Sequence, residues 1–248
     1  MSSTPRTSRP GPARSGVLSE ARSDALLAAL ALIALAVWEV SGLDLPLARL
    51  YGTAAGFAWR DQWLTASLFH DGARAIGWLF LALLLLSVWR PRLLVPELPR
   101  RERVQWILTT LLCVALIALL KRSSATSCPW SLVEFGGEAA RYVPHWLLGV
   151  RDGGPGGCFP SGHASTAFSL LPGWFALRNH APRAARVFLT VVLAVGLVLG
   201  WVQMMRGAHY LSHSLWTAWI CWVVSAVTWH GAQAGRGLVQ PMLSRSLP

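Results

Sequence analysis

Residues Val104 to Leu120 read VQWILTTLLCVALIALL, seventeen residues without a charge, and the next residue is Lys121. A bilayer core takes about 20 apolar residues, with roughly 17 tolerated, so this stretch predicts a membrane-spanning helix that closes on a cation. Five further apolar runs flank it, approximately Asp24–Leu43, Arg74–Trp89, His163–Leu177, Ala184–Val202 and Leu211–Trp229. The runs beginning at Arg74 and His163 are short and would borrow flanking residues. One such run fits a buried helix of a soluble protein; six in 248 residues do not. The expected fold class is all-α, a polytopic membrane protein with six transmembrane helices in a bundle.

Composition points the same way. The chain is 54% hydrophobic and 13% charged, where a soluble domain carries about a quarter charged residues. Its formal net charge of +11 raises nucleic acid as a partner. The arginines sit in loops between apolar runs, however, which fits anionic lipid headgroups and argues against nucleic acid. Residues 1–23, rich in Ser, Pro and Arg, read as a disordered basic tail. Residues 24–230 read as the six-span domain, and 231–248 as a second tail. The first run exceeds the roughly 7–15 residues of a signal-peptide core and lacks a small-residue cleavage site, so it reads as a span.

Orientation follows from the basic residues. Fourteen of the 22 fall in the two tails and in the loops after the second and fourth runs, including Arg90, Arg92, Arg100, Arg101 and Arg103. The positive-inside rule puts those segments, and both termini, in the cytoplasm. Leu43–Ala73, Lys121–Gly162 and Gln203–Tyr210 then share the opposite face. In a bacterial inner membrane that face is the periplasm. Trp59, Trp63, Trp130 and Trp146 in these loops suit an interfacial belt.

Every residue suited to chemistry lies on that one face. Lys121 ends the third run; alone it would read as a snorkelling interfacial lysine. Pro160-Ser161-Gly162-His163 opens the fourth run, where free backbone N–H groups at a helix start favour an anion. His209 and His213 are four residues apart at the start of the sixth run and share a face if that turn is helical. A bundle would gather these pieces around one phosphate. Lys121, Arg206, Ser161 and backbone N–H groups would hold its oxygens, and two histidines would remain for nucleophilic attack and proton donation. Cys128, Cys158, His163, His209 and His213 are zinc-type ligands, but they are scattered over three loops without an adjacent Glu, so no metal is expected. Cys113 and Cys221 read as apolar fillers inside spans. Cys128 and Cys158 bracket the loop between Lys121 and the Pro-Ser-Gly-His motif. In an oxidising compartment they either form a disulfide over the site or remain two thiols. Asp61, His70, Asp71 and Arg74 read first as helix caps and second as headgroup contacts.

These motifs resemble the type 2 phosphatidic acid phosphatase superfamily of membrane lipid phosphatases. That family carries Lys, six residues, Arg-Pro; then Pro-Ser-Gly-His; then Ser-Arg, five residues, His, three residues, Asp. The resemblance covers roughly residues 24–230. It implies that Lys121, Ser161 and Gly162 bind phosphate, that His163 is the general acid, and that His209 is the nucleophile forming a phosphohistidine. It also implies that no metal or other cofactor is needed. Three positions depart from the pattern. Cys128 stands in place of Arg, Gln203 in place of Arg with Arg206 as its substitute, and His213 in place of Asp. A neutral His213 would accept the hydrogen bond from His209 that the Asp normally takes.

The expected function is removal of phosphate from a lipid phosphate or pyrophosphate in the bilayer. Two alternatives use the same pocket: lipid-to-lipid phosphotransfer, and anionic-lipid binding with weak catalysis. The sequence sets no oligomeric state.

Overall fold

The computed structural model describes residues 14–147 and 149–245. Of the expected basic tail, residues 1–13 lie outside the described part, as do 246–248 at the other end. From Arg14 onward the chain is already helical, ten residues before the expected span, in α1 (Arg14–Ser41).

A short α2 (Asp44–Arg49) and a two-residue hairpin follow, β1 (Gly52–Thr53) with β2 (Gly56–Phe57), paired antiparallel as Gly52↔Phe57 and Thr53↔Gly56. A π-helical stretch, Leu64–Gly72, runs into α3 (Ala73–Leu86). Then come α4 (Arg100–Ser123), α5 (Ser165–Phe168), α6 (Pro172–Leu177), α7 (Pro182–Met205) and α8 (Leu211–Arg245).

Four of these stretches are long and apolar enough to cross a membrane: Leu18–Ser41, Leu64–Leu86, Arg100–Ser123 and Pro182–Met205. Their outward side chains include Leu26, Ile33, Val37, Ile76, Leu79, Leu108, Leu112, Val191 and Val195, all exposed. A soluble protein cannot leave such a continuous apolar belt in water; a bilayer covers it without cost.

The fourth expected run, His163–Leu177, differs from expectation. It is two short helices broken at Ser169–Leu171. Pro172 explains the break, because it has no N–H to donate to the preceding turn and its ring crowds the carbonyl four residues back. Phe168, Leu171, Phe175 and Leu177 are all buried. The segment packs against α4, α7 and α8 as the apolar filling of the bundle. Its uniform hydrophobicity is that of an interior element. One close approach makes this possible: a Cβ on Gly196 of α7 would lie 2.3 Å from the Phe168 ring.

The sixth run becomes α8, which packs against α1, α4, α5, α6 and α7. Its buried face is polar, with Ser212, His213, Ser214, Thr217 and Ser225. Several of these bond back to their own helix, as Ser225 Oγ does to Cys221 O (2.6 Å), which settles a hydroxyl in an apolar interior. Three indoles fasten α1 to α8. Trp216 Nε1 donates to Glu39 (2.7 Å), Trp219 Nε1 to Ala28 O (2.9 Å) and Trp222 Nε1 to Asp24 O (3.3 Å). Spacing by three residues puts them on one face of α8.

At the end of the bundle away from Lys121, Asp24 receives Arg178 Nη1 (2.8 Å) and His230 Nε2 (2.8 Å). Arg103, expected to face headgroups, is instead fully buried. Its guanidinium donates to the carbonyls of Leu98 (3.1 Å), Pro91 (3.3 Å) and Val95, closing the loop before α4.

Candidate active site

The ends of α4 and α7 and the starts of α5 and α8 meet in one place, and this brings the expected residues together. Lys121 lies on the last turn of α4, and its Nζ comes within 3.8 Å of where a Cβ on Gly162 would stand. The lysine thus passes directly beside Gly162. Ser161 is fully buried between elements: its N–H donates to His213 O (3.2 Å), its carbonyl accepts from Thr217 Oγ1 (3.1 Å), and its Oγ accepts from Ala164 N (3.4 Å). The Ser161 N–H is thus committed to α8. The N–H groups of Gly162 and His163 have no protein acceptor among the described residues, and they are the backbone donors left for an anion. With α5 only four residues long, these two groups, rather than a helix dipole, supply the backbone part of such a site.

Arg206 follows α7 directly. Its Nε donates to Arg60 O (2.8 Å) and its Nη1 to Gln203 Oε1 (3.3 Å). Gln203 therefore supports the arginine that stands in for it. Arg60 in turn lies over the Trp130 ring at 4.5 Å. Gly207, at φ 71°, turns the chain into α8, and its carbonyl accepts from Trp130 N (3.0 Å). The left-handed backbone there suits glycine.

His209 and His213 are 1% and 0% exposed, and His163 lies beside them. Ring centroids are 5.8 Å apart for His163 and His209 and 5.9 Å for His209 and His213. The expected hydrogen bond from His209 to His213 is not made. His213 Nδ1 instead meets the Cys158 carbonyl at 3.1 Å, and its Nε2 is buried without a partner. The same carbonyl faces His209, whose Nδ1 also lies 3.6 Å from Cys158 Sγ. A backbone carbonyl thus takes the orienting place that a carboxylate would hold. Burial, reinforced by Lys121, His213 and His163, pushes the His209 imidazole well below the ordinary histidine range.

Cys128 and Cys158 form a disulfide. It joins the strap after α4 to the strap before α5, which also pair through Cys158 N to Thr126 O (3.0 Å) and Gly157 N to Ser124 O (2.8 Å). Asp152 fastens the loop between them, accepting from Ser127 N (2.7 Å), Ser127 Oγ (2.8 Å) and Gly154 N (2.9 Å). The sulfurs of Cys128 and Cys158 lie close to His209, but a bonded pair of sulfurs is not a thiolate ligand set, so this trio does not suit zinc.

Sequence reasoning missed two contributors and read a third, His70, first as a helix cap and second as a headgroup contact. Asp44, at the start of α2, accepts from Ser212 N (3.1 Å), Ser212 Oγ, Trp38 Nε1 (3.0 Å) and Tyr142 OH (3.4 Å), capping α8 from outside. Glu39 lies 3.6 Å from His145 Nε2, and that imidazole stacks on Phe159 at 3.7 Å, next to the Pro-Ser-Gly-His turn. His70 packs its ring against His163 with centroids 4.2 Å apart. No local spacing signal marks these residues, because the side chains they meet around the site lie far along the chain, as His163 does from His70 and Ser212 from Asp44.

Cationic and histidine side chains gathered where apolar helices end define the class: a helical, membrane-type protein with a buried, basic and histidine-rich site. Residues 103–236, more than half of the chain, match the PAP2 superfamily, and the chain belongs to it. Membership implies phosphatase activity. No curated protein and no solved structure matches the chain. The family match includes Lys121, Ser161, His163, Arg206, His209 and His213, and leaves out α1, α2 and the segment that carries His70.

Proposed function

We propose that this protein is an integral membrane phosphatase that removes phosphate from a lipid phosphate or pyrophosphate through a phosphohistidine on His209. The observation that carries the reading is the meeting of Lys121, the Ser161–His163 turn, Arg206 and His209, from segments far apart in sequence, at one end of an apolar bundle. Six crossings, with α5–α6 as an interior fourth and α8 as the sixth, put both termini in the cytoplasm. The site then opens on the periplasmic face of a bacterial inner membrane, in agreement with the distribution of arginines.

Lys121, Arg206, Ser161 Oγ and the N–H groups of Gly162 and His163 hold the phosphoryl oxygens and offset their charge. His209 turns Nδ1 toward Cys158, which leaves Nε2 to attack phosphorus. As the N–P bond forms and the P–O bond breaks, His163 gives its proton to the departing oxygen. Water then attacks the phosphohistidine, passing a proton to His163, and the N–P bond breaks to free phosphate. A phosphate dianion bound beside His163 favours its protonated form, the form that donates to the leaving oxygen.

The test is phosphate release by detergent-purified protein from a panel of phosphatidate, phosphatidylglycerophosphate, polyprenyl pyrophosphate and lipid A phosphate. His209→Ala is expected to lower turnover by at least about 10³-fold, since it removes the nucleophile. Release by that variant at the normal rate overturns the mechanism. Chelators are expected to leave turnover unchanged, because Lys121 and Arg206 supply the charge; full loss in EDTA with recovery on adding a divalent ion would contradict this.

A further inference from the structure

Two of the three site histidines have a ring partner, and one does not. His213 Nδ1 meets the Cys158 carbonyl, and His209 Nδ1 lies 3.6 Å from Cys158 Sγ. His163, the residue assigned as general acid, has a buried Nδ1 with no hydrogen-bond partner among the described residues. A general acid whose ring can rotate loses the alignment on which proton transfer depends. What touches the His163 ring is His70, from the π-helical turn that precedes α3, with centroids 4.2 Å apart and planes tilted by 44°. His70 is itself held: its Nδ1 meets Asp71 Oδ1 at 2.8 Å. Asp71 stands on the open side of the pair, its side chain 65% exposed, within reach of the charges of Arg74 and Arg206. Inserted residues of the π type are frequent at functional sites, and here one re-aims a histidine into the cluster.

We propose that His70, oriented by Asp71, is a positioning residue that fixes the ring of His163 for protonation of the leaving oxygen. The inference rests on the phosphatase reading above and adds a residue pair outside the matched family region. No proton is gained or lost by His70 in this role. The P–O bond still breaks with the proton of His163, and the ring of His70 sets where that proton points.

The role makes a distinction that mere structural support does not. Leaving oxygens of low basicity depart without help from an acid, whereas alkoxides need the proton. The experiment compares full-length detergent-purified protein on hexadecyl phosphate and on 4-nitrophenyl phosphate. His70→Ala is expected to lower kcat on the alkyl ester by about 10²-fold and on the nitrophenyl ester by less than about 3-fold, the difference that loss of a positioned acid produces. His70→Phe, which keeps a flat ring against His163, is expected to recover most of the alkyl-ester rate. A loss of equal size on both esters, or His70→Phe as slow as His70→Ala, overturns the proposal while the phosphatase reading stands. Absence of release from both esters by the unaltered protein, or normal release by His209→Ala, overturns both.

Discussion

In the proposed mechanism His209 attacks as a neutral imidazole, and its surroundings favour that form. Burial acts first and the charges of Lys121, His213 and His163 add to it, so its basicity sits well below the ordinary value of about 6.5. The acid limb of kcat/KM assigned to the nucleophile is therefore expected below pH 6.5. The sign for stability follows from the same shift. The unfolded chain binds a proton to His209 that the folded chain refuses, so stability is fully present above the unfolded value and is lost as pH falls below it. The slope from this one group is at most about 1.4 kcal/mol per pH unit. Thermal midpoints between pH 4 and 8 should fall less steeply for His209→Gln; an equal slope for both proteins would remove this account. At this scale the sequence was a good guide to side chains and a poor one to the backbone. Lys121, His163 and His209 stand at motif spacings and meet in space. The Cys158 carbonyl that meets His213 has no residue identity to read, and so His213 looked like a replacement for Asp when its partner is a peptide group.

Among the elements, the strap pair held by Cys128 and Cys158 carries the site between two helices. Its closure spans 30 positions of sequence, and constraining such a loop contributes about 3–4 kcal/mol in the chain-entropy picture. Cys128→Ala with Cys158→Ala should lower the thermal midpoint in detergent and reduce kcat, because the strap that meets His213 through its carbonyl and His209 through its sulfur would no longer be fixed. An unchanged midpoint together with full turnover would sink this expectation. The elements also mark where apolar pattern misleads. His163–Leu177 has the composition of a span, yet Pro172 breaks it and Phe168, Leu171 and Phe175 turn inward. Composition alone does not distinguish a lipid-facing helix from the filling of a bundle, since both are apolar on every side. Val104–Leu120 was legible because it is uninterrupted, and α4 extends it at both ends, from Arg100 to Ser123.

The molecule as a whole is apolar outside as well as inside: leucine and valine cover the surface, and a polar stripe of α8 faces the interior. Two polar clusters sit at opposite ends of that arrangement. Lys121, Arg206 and the histidines occupy one end, and Asp24 with Arg178 and His230 ties α1, α6 and α8 at the other. If the apolar belt lies in a bilayer, the two ends face different compartments, and the arginine-rich loops choose which. Exposed Arg92, before α4, belongs to the cytoplasmic end, and exposed Glu138, in the loop after α4, to the site end. The native thiols Cys113 and Cys221 are buried and Cys128 is bonded to Cys158, so a single added cysteine reports its own position. A membrane-impermeant maleimide added to cells with a permeabilised outer membrane should label Glu138→Cys, and should label Arg92→Cys only after the inner membrane is broken. The reverse pattern would put the site in the cytoplasm. Equal labelling of both in intact cells would mean that the belt of Leu26, Ile33, Leu79, Leu108 and Val191 does not lie across a membrane, and with it the lipid substrate would lose its physical basis.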